Sequence, residues 1–261
     1  FWIVNLSPSC STYNCLTPDS LALVALYNAT DGPNWINTWD LSQPISTWHG
    51  VTLGPASCRV IDLNLSNNGL NGYIPHEIGK LTNLFNLVFW NNQLSGNIPA
   101  EIGNLVNLTD LKLIGNQLTG NIPPEIGNLT RLTELNLSNN QLNGNIPPEI
   151  GNLTDLTSVF LSNNQLNGDI PTELGNLINI YYLFIANNQL SGCYPQSLCS
   201  LNIPSYNFTD NVNLPNNGST QGFQDSCNGL VDCNGYPIYP GDFNFDGIVD
   251  YQDVLTLGLA F

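Results

Sequence analysis

The residues best placed to do chemistry are oxygen-bearing positions near the end of the chain. They fit the spacing D-x-N-x-D-G-x-x-D-x-x-D and comprise Asp242, Asn244, Asp246, the main-chain carbonyl of Ile248, Asp250 and Asp253. Ca²⁺ takes such ligands at places 1, 3, 5, 7, 9 and 12 of a loop that has a glycine at place 6 for the turn. The sequence therefore predicts a calcium site here, with calcium as the cofactor.

A repeat of 24 residues precedes this loop and must form most of the fold. Its six copies begin at Val60, Leu84, Leu108, Leu132, Leu156 and Ile180, and a degenerate seventh begins at Ile203. The copies share the pattern LxxLxLxxNxLxGxIPxxIGxLxx. A fixed period of this length is typical of a solenoid, in which each unit buries its apolar edge against the next.

Each place in the repeat predicts a local structure. The L-x-L pair predicts a short strand with one buried face, and stacked copies predict a parallel sheet. The asparagine at the ninth place (Asn140, for example) carries donors and an acceptor that can satisfy turning backbone, so its recurrence predicts a buried amide ladder. The glycine at the thirteenth place permits a bend, and the following Ile-Pro pair favours extended structure over a long helix.

On these residues the chain resembles the leucine-rich repeat family in its 24-residue, plant-type form. The resemblance implies an α/β-type solenoid, a right-handed superhelix with a parallel β-sheet on its concave face, and recognition as the usual role. We expect an N-terminal arm and cap over residues 1–59 and a leucine-rich repeat solenoid over residues 60–216. A disulfide-bearing tail with the calcium loop follows over residues 217–261.

The segment before the repeats resembles the cap that accompanies them. Residues 20–35 predict a helix, which stops at Asp31-Gly32-Pro33. Trp48, Gly50 and Val51 match the W-x-G-V motif of that cap, although Thr47 stands where the plant pattern has a cysteine. The block is similar to caps of secreted bacterial surface proteins. Its tryptophans (Trp35, Trp39 and Trp48) are predicted to form cap core, with sugar stacking as the alternative.

The calcium loop resembles a dockerin module, because Asp253 stands where helix–loop–helix calcium proteins usually carry a glutamate. Dockerins usually have two such loops and this sequence has one. Either a second loop follows Phe261 or the protein has half a module, and half a module can bind calcium and rigidify the tail.

Side chains that flank the core leucines should point outward from the sheet. Many are polar, but several are large and apolar, and outward aromatic residues commonly mark an interface. The predicted interaction surface comprises Phe85, Val88, Trp90, Ile114, Phe160, Tyr182 and Phe184. The alternative is that caps or attached sugars cover some of them.

Charge excludes several classes of function. The 261 residues carry 20 acidic and 4 basic side chains, for a net charge of −16. Nucleic-acid and anionic-membrane binding are therefore disfavoured, and no apolar run is long enough for a membrane span. The carboxylates Glu77, Glu101, Glu125 and Glu149 recur at one repeat place, which indicates a surface row rather than a catalytic pair. We expect no enzyme.

Seven cysteines and a first residue that is not methionine favour a secreted or cell-surface protein with disulfides. Close spacing predicts Cys10–Cys15, Cys193–Cys199 and Cys227–Cys233 as pairs and leaves Cys58 over. Nine N-x-S/T sequons would be glycosylated in a host that performs the modification.

Two non-enzymatic hypotheses follow. The first is an extracellular protein that recognises or adheres to a protein or glycan through its concave face, stabilised by calcium in its tail. The second is a self-assembling subunit of an extracellular filament or surface layer. In that case the apolar arm Phe1, Trp2, Ile3 and Val4 pairs with a neighbouring subunit as an added strand, rather than folding onto its own cap.

Overall fold

The computed structural model describes residues 18–54 and 59–228. The helices are α1 (Pro18–Ala29), α2 (Gln196–Cys199) and α3 (Thr220–Cys227). The strands are β1 (Val51–Leu53), β2 (Val60–Asn64), β3 (Asn71–Tyr73), β4 (Asn86–Val88), β5 (Gln93–Asn97), β6 (Asp110–Lys112), β7 (Gln117–Asn121), β8 (Glu134–Asn136), β9 (Gln141–Gly144), β10 (Ser158–Phe160), β11 (Gln165–Asp169), β12 (Tyr182–Phe184), β13 (Gln189–Ser191) and β14 (Ser205–Asn207). The 3-10 helices are Gly32–Asn34, Ile45–Thr47, His76–Lys80, Ala100–Asn104, Pro124–Asn128, Pro148–Asn152, Thr172–Asn176 and Pro215–Gly218.

Each of the first five repeats contributes one strand to each of two sheets and one 3-10 helix, and the sixth has α2 in place of the 3-10 helix. The eight-stranded sheet, here the long sheet, has the order β1-β2-β4-β6-β8-β10-β12-β14. Its strands are parallel except for β1, which is antiparallel to β2. The six-stranded sheet, here the short sheet, has the order β13-β11-β9-β7-β5-β3. The core lies between these layers and contains the repeated leucines and isoleucines, most of which have no exposed surface. The predicted solenoid of stacked parallel strands is confirmed.

The predicted amide ladder is present and buried. Asn116 donates from Nδ2 to the carbonyl oxygens of Phe89 (3.0 Å) and Leu113 (2.9 Å). Its Oδ1 accepts from the Leu94 N–H (3.0 Å). The same bonds recur at Asn140, because the 24-residue period returns each amide to the same place. The ladder satisfies buried backbone groups where the chain leaves the long sheet.

The N-terminal cap is built as the sequence predicted, with a shorter helix. Trp39 and Trp48 stack with centroids 4.8 Å apart, and Trp35 meets Trp39 edge to face. All three rings are at most 4% exposed, so they are cap core and offer no face to a sugar. Helix α1 ends at Ala29 because Asp31 adopts positive φ and a 3-10 turn follows.

The C-terminal cap corrects the predicted disulfides. Cys199 of α2 is bonded to Cys227 of α3, with 5.2 Å between their Cα atoms. The predicted Cys193–Cys199 and Cys227–Cys233 bridges are therefore wrong, although Cys193 is itself disulfide-bonded. Sequence proximity misleads here because the cap folds α3 back beside α2. The predicted Cys10–Cys15 bridge, Cys58, the calcium-loop residues 242–253 and the apolar arm 1–4 lie outside the described residues.

Candidate functional site

The outward face of the long sheet brings the variable repeat positions into two straight rows. One row runs from Asp62 on β2 through Asp110 and Glu134 to Tyr182 on β12. The other row runs beside it and contains Phe160 and Phe184 on β10 and β12. Since paired strands lie about 4.8 Å apart, side chains on successive strands are in direct contact. The rows divide into a polar half and an aromatic half.

The polar half contains a compact ion group. Lys112 Nζ lies 3.1 Å from Asp110 Oδ1 and 2.8 Å from Glu134 Oε2. Burial alone would lower the pKa of Lys112, but hydrogen bonds and charge attraction from Glu134 and Asp110 outweigh it and raise the pKa. Asn86 donates to Asp62 Oδ2 (2.7 Å) in the same row. Lys112 is therefore paired with two acids, and with Asp62 the polar half keeps a net negative charge.

The aromatic half forms a continuous cluster, here the aromatic patch, of Phe160, Tyr181, Tyr182 and Phe184. Phe160 and Phe184 stack at 5.4 Å with an 8° angle between their planes. Tyr182 stacks at 6.1 Å from Phe160 and meets Tyr181 at 4.6 Å edge to face. Tyr181 is 50% exposed and Tyr182 is 39% exposed, while the two phenylalanines are half-buried. The patch is thus fixed by its own ring contacts and still open to solvent.

The other predicted surface residues lie nearer the N-terminal cap and do not join the patch. Trp90 is 44% exposed, Val88 on the same copy is half-buried, and so is Ile114 on the next copy. Phe85 is 37% exposed but carries the guanidinium of Arg131 5.8 Å above its ring. Asn136 on β8 pairs with Phe160 on β10 and marks the edge of the aromatic half. The predicted surface is therefore two apolar regions.

A small groove of about 380 Å³ lies at the first edge of the long sheet. Its lining is mostly polar and includes His49, Thr52, Asp62, Asn64 and Ser66. No side chain here forms a nucleophile–base pair in the part of the chain that the structure describes. Among those residues no group of three or more His, Cys, Asp or Glu side chains could hold a metal ion.

Sequence reasoning missed one buried ion pair that ties the cap to the first repeat. The fully buried carboxylate of Asp19 in α1 accepts from Arg59 Nε (2.9 Å) and from the Val60 N–H (2.7 Å). Forty residues separate Asp19 from Arg59, so no local pattern indicated the contact. A fully buried carboxylate needs such partners to offset its desolvation.

A family model described as a leucine-rich repeat region matches residues 55–206. The chain belongs to the leucine-rich repeat family. This agrees with the solenoid, and the outward face of the long sheet is the concave face of that fold. No curated protein matches the chain.

Solved structures supply three informative likenesses. A plant ice-binding protein is 32% identical with a TM-score of 0.69, over 75% of this chain and 64% of that one. The plant peptide hormone receptor RGFR1 in complex with RGF2 is 36% identical with a TM-score of 0.53, over 56% of this chain and 25% of that one. The BIR2 ectodomain from Arabidopsis thaliana is 29% identical with a TM-score of 0.52, over 72% and 93%. The chain spans less than two thirds of the first two proteins.

Two further findings concern location. The similar structures include an extracellular-type ectodomain of the repeat family. Within residues 18–54 and 59–228, no helix has the length and apolar character needed to cross a bilayer.

Proposed function

We propose that this chain is an extracellular, non-enzymatic recognition protein that binds a polypeptide segment on its concave face. The observation that carries the proposal is the aromatic patch, in which solvent-exposed rings are held in register on two neighbouring strands of one sheet, β10 and β12. Exposed apolar clusters of this kind cost solvation free energy unless a partner covers them, and aromatic residues dominate binding energy at protein interfaces.

Ring geometry favours a polypeptide over a glycan. Sugars stack on an open aromatic face, but Phe160 and Phe184 cover one face of each other at 5.4 Å. The patch therefore presents ring edges and tyrosine hydroxyl groups, which suit the branched apolar side chains and the backbone of a peptide. The likeness to RGFR1, a peptide hormone receptor, supports the same choice. The neighbouring polar half keeps a net negative charge, because Asp62, Asp110 and Glu134 outnumber Lys112, and it therefore disfavours an acidic ligand.

The predicted calcium loop has a supporting role in this proposal. Calcium held by residues 242–253 would stabilise the tail beyond α3 and keep the protein intact outside a cell. Secretion is part of the proposal, because disulfide bonds such as Cys199–Cys227 persist in oxidising compartments. Adhesion would be one use of the peptide-binding concave face.

The test is selection of ligands from a displayed library of random peptides against the immobilised full chain, followed by affinity measurement. We expect enriched peptides with apolar anchors, whose affinity falls at least tenfold in the double variant Tyr182→Ser, Phe184→Ser. The matched control is Tyr73→Ser, because Tyr73 is 59% exposed but lies on the short sheet. Peptides that bind the double variant as well as the unaltered chain would refute the proposal. Binding confined to a glycan array would favour the sugar alternative.

A second candidate function is ice binding, and one observation favours it. Apart from Asp169 on β11, the short sheet carries uncharged outward side chains at a regular interval, including an exposed glutamine at the start of β5, β7, β9, β11 and β13. A rigid, regular array of uncharged hydrogen-bonding groups is what an ordered water lattice could match. The plant ice-binding protein, at 32% identity, supports this candidate.

Measurement of ice-recrystallisation inhibition separates the two functions. Ice binding predicts that Thr119→Lys with Asn143→Lys abolishes inhibition, while Tyr182→Ser with Phe184→Ser leaves it unchanged. Absence of inhibition by the unaltered chain removes this candidate without affecting the peptide proposal.

A further inference from the structure

Acidic and aromatic side chains occupy opposite ends of the first outward row of the long sheet. Asp62 stands on β2, Glu134 on β8 and Tyr182 on β12, each in register with its neighbours along the row. The strand order β2-β4-β6-β8-β10-β12 places the acids towards the N-terminal cap and the rings towards the C-terminal cap. One extended ligand that lies across the strands therefore meets both ends of the concave face.

The acidic residues of the row differ in how their charge is compensated. Lys112 lies between Asp110 and Glu134 and forms a salt bridge with each. Asp62 Oδ2 accepts from a neutral group, the side-chain amide of Asn86, at 2.7 Å. In the part of the chain that the structure describes, no cationic side chain forms a salt bridge with Asp62. Asp62 is therefore the acid of this row whose charge a ligand can pair.

Asp62 is half-buried and lines the groove of about 380 Å³ at the first edge of the long sheet. The other polar side chains of this lining are those of His49, Thr52, Asn64 and Ser66, and none of them is a lysine or an arginine. A guanidinium or ammonium group has several N–H donors and a positive charge, and a carboxylate pairs with it through charge-assisted hydrogen bonds. The groove therefore suits the end of one arginine or lysine side chain.

The strand spacing fixes how far this groove lies from the aromatic patch. From Asp62 on β2 to Phe160 on β10 there are four spacings, which at about 4.8 Å each is roughly 19 Å. To Tyr182 on β12 there are five, or roughly 24 Å. An extended polypeptide advances about 3.3 Å per residue, so these distances correspond to about six and seven residues. A short peptide segment therefore reaches from the groove to the patch.

Charge selects a basic segment of another protein as the ligand. The net charge of −16 attracts cationic peptides and repels a second copy of the chain. We propose that the polypeptide bound on the concave face carries an arginine or lysine about six or seven residues from its apolar anchor, and that this basic side chain pairs with Asp62 in the groove. The inference rests on the proposed peptide function and adds to it the charge and the spacing of the ligand.

Three parallel selections from a displayed library of random peptides test the proposal, with peptides about twelve residues long so that they span the groove and the patch. The full chain is immobilised unaltered, as Asp62→Asn and as Asp169→Asn. The amide introduced by Asp62→Asn still has an oxygen that accepts from Asn86, so this variant removes the charge and keeps the hydrogen bond. Asp169→Asn is the matched control, because it removes one charge from an exposed position of β11 where the three preceding copies have asparagine.

We expect selections on the unaltered chain and on the control to enrich a basic residue about six or seven positions from an apolar one. Selection on Asp62→Asn should keep the apolar residue and lose the basic one. In an enriched peptide, replacing the basic residue by glutamine should lower affinity about three- to tenfold for the unaltered chain and less than about twofold for Asp62→Asn. Moving the basic residue next to the apolar anchor should cost as much as replacing it.

Contrary results separate this inference from the proposed function. Peptides that need the aromatic patch but no basic residue, or that keep the basic preference on Asp62→Asn, overturn the inference and leave the proposed function standing. Loss of the preference on Asp169→Asn as well would assign it to net charge and overturn the groove. Loss on Glu134→Gln alone would place the basic residue at the ion group and also overturn it. Binding that Tyr182→Ser with Phe184→Ser does not weaken refutes the proposed function, and the inference fails with it.

Discussion

Replacing one ladder asparagine should destabilise the protein far more than replacing an exposed asparagine of the same repeat. In Asn140→Ala the Leu118 N–H loses its partner at 3.0 Å and stays buried, which costs about 1–3 kcal/mol. The carbonyls of Leu113 and Leu137 each lose one bond, at roughly 1 kcal/mol apiece. We expect a loss of about 4 kcal/mol in the free energy of unfolding, with any cavity adding to it.

Urea unfolding followed by circular dichroism measures this loss, at fixed calcium and protein concentration. The control is Asn143→Ala, because Asn143 is exposed on β9 and its loss should change stability by no more than about 0.5 kcal/mol. Unfolding of a repeat array can lose cooperativity, so tryptophan fluorescence, which reports mainly on the N-terminal cap, should be compared with dichroism. If Asn140→Ala costs no more than its control, the energetic account of the ladder is wrong.

Shared carbonyls provide a sharper form of the same test. Leu113 O accepts from both Asn116 and Asn140, so either single variant leaves it one partner. The double variant leaves it none of these amides, and the combined loss should exceed the sum of the single losses by about 1 kcal/mol or more. Asn188 shares no carbonyl with Asn116, and this pair should be additive. Additivity in both pairs would contradict the reasoning.

Three other predictions concern the ion group, the C-terminal disulfide and the tail. Lys112 has a raised pKa, so its stabilising contribution is complete below about pH 10.5 and is lost as the pH rises through the raised value. The difference in the free energy of unfolding between the unaltered chain and Lys112→Gln should therefore stay constant from about pH 7 to 10 and shrink at higher pH. Urea titrations measure this difference. Cys199→Ser opens a loop closed over a separation of 28 residues and should cost about 3–4 kcal/mol in the chain-entropy account. Reduction of the unaltered protein should cost more, because Cys193 is also disulfide-bonded, and a melting temperature insensitive to both changes would contradict the account. Calcium should raise the melting temperature of the full chain and chelator should lower it, whereas Asp246→Ala should remove the response; an unaltered chain that responds to neither would exclude the calcium site.

The sequence predicted what repeats because a periodic chain returns each residue type to the same place. The ladder at Asn116 and Asn140, the buried leucines and the outward rows all follow from period and alternation. The cap tryptophans were predicted as core for a related reason, since a solenoid end needs apolar cover. The outward position of Tyr182 and Phe184 was predictable from alternation, but their stacking with Phe160 depends on strand register.

Contacts between distant segments could not be predicted in this way. Cys199 pairs with Cys227, 28 residues away, because α3 folds across the end of the core. Asp19 meets Arg59 because α1 packs against the first repeat. Neither contact recurs with the 24-residue repeat, so the spacing that predicted the repeats could not predict these two contacts. Near neighbours in sequence, such as Cys193 and Cys199, were therefore the wrong guide.

The two ends of the long sheet differ in a way that bears on the proposed peptide site. At the first end the chain reverses direction into β1, and the adjacent groove is lined mainly by polar groups such as His49 and Asp62. At the last end β14 continues the parallel direction and its core side is aromatic. The aromatic patch occupies the two copies before that edge, where Phe184 pairs in register with Asn207. Beyond β14, Phe223 of α3 packs on Tyr206 and Phe208, so the C-terminal cap closes the core directly after the patch.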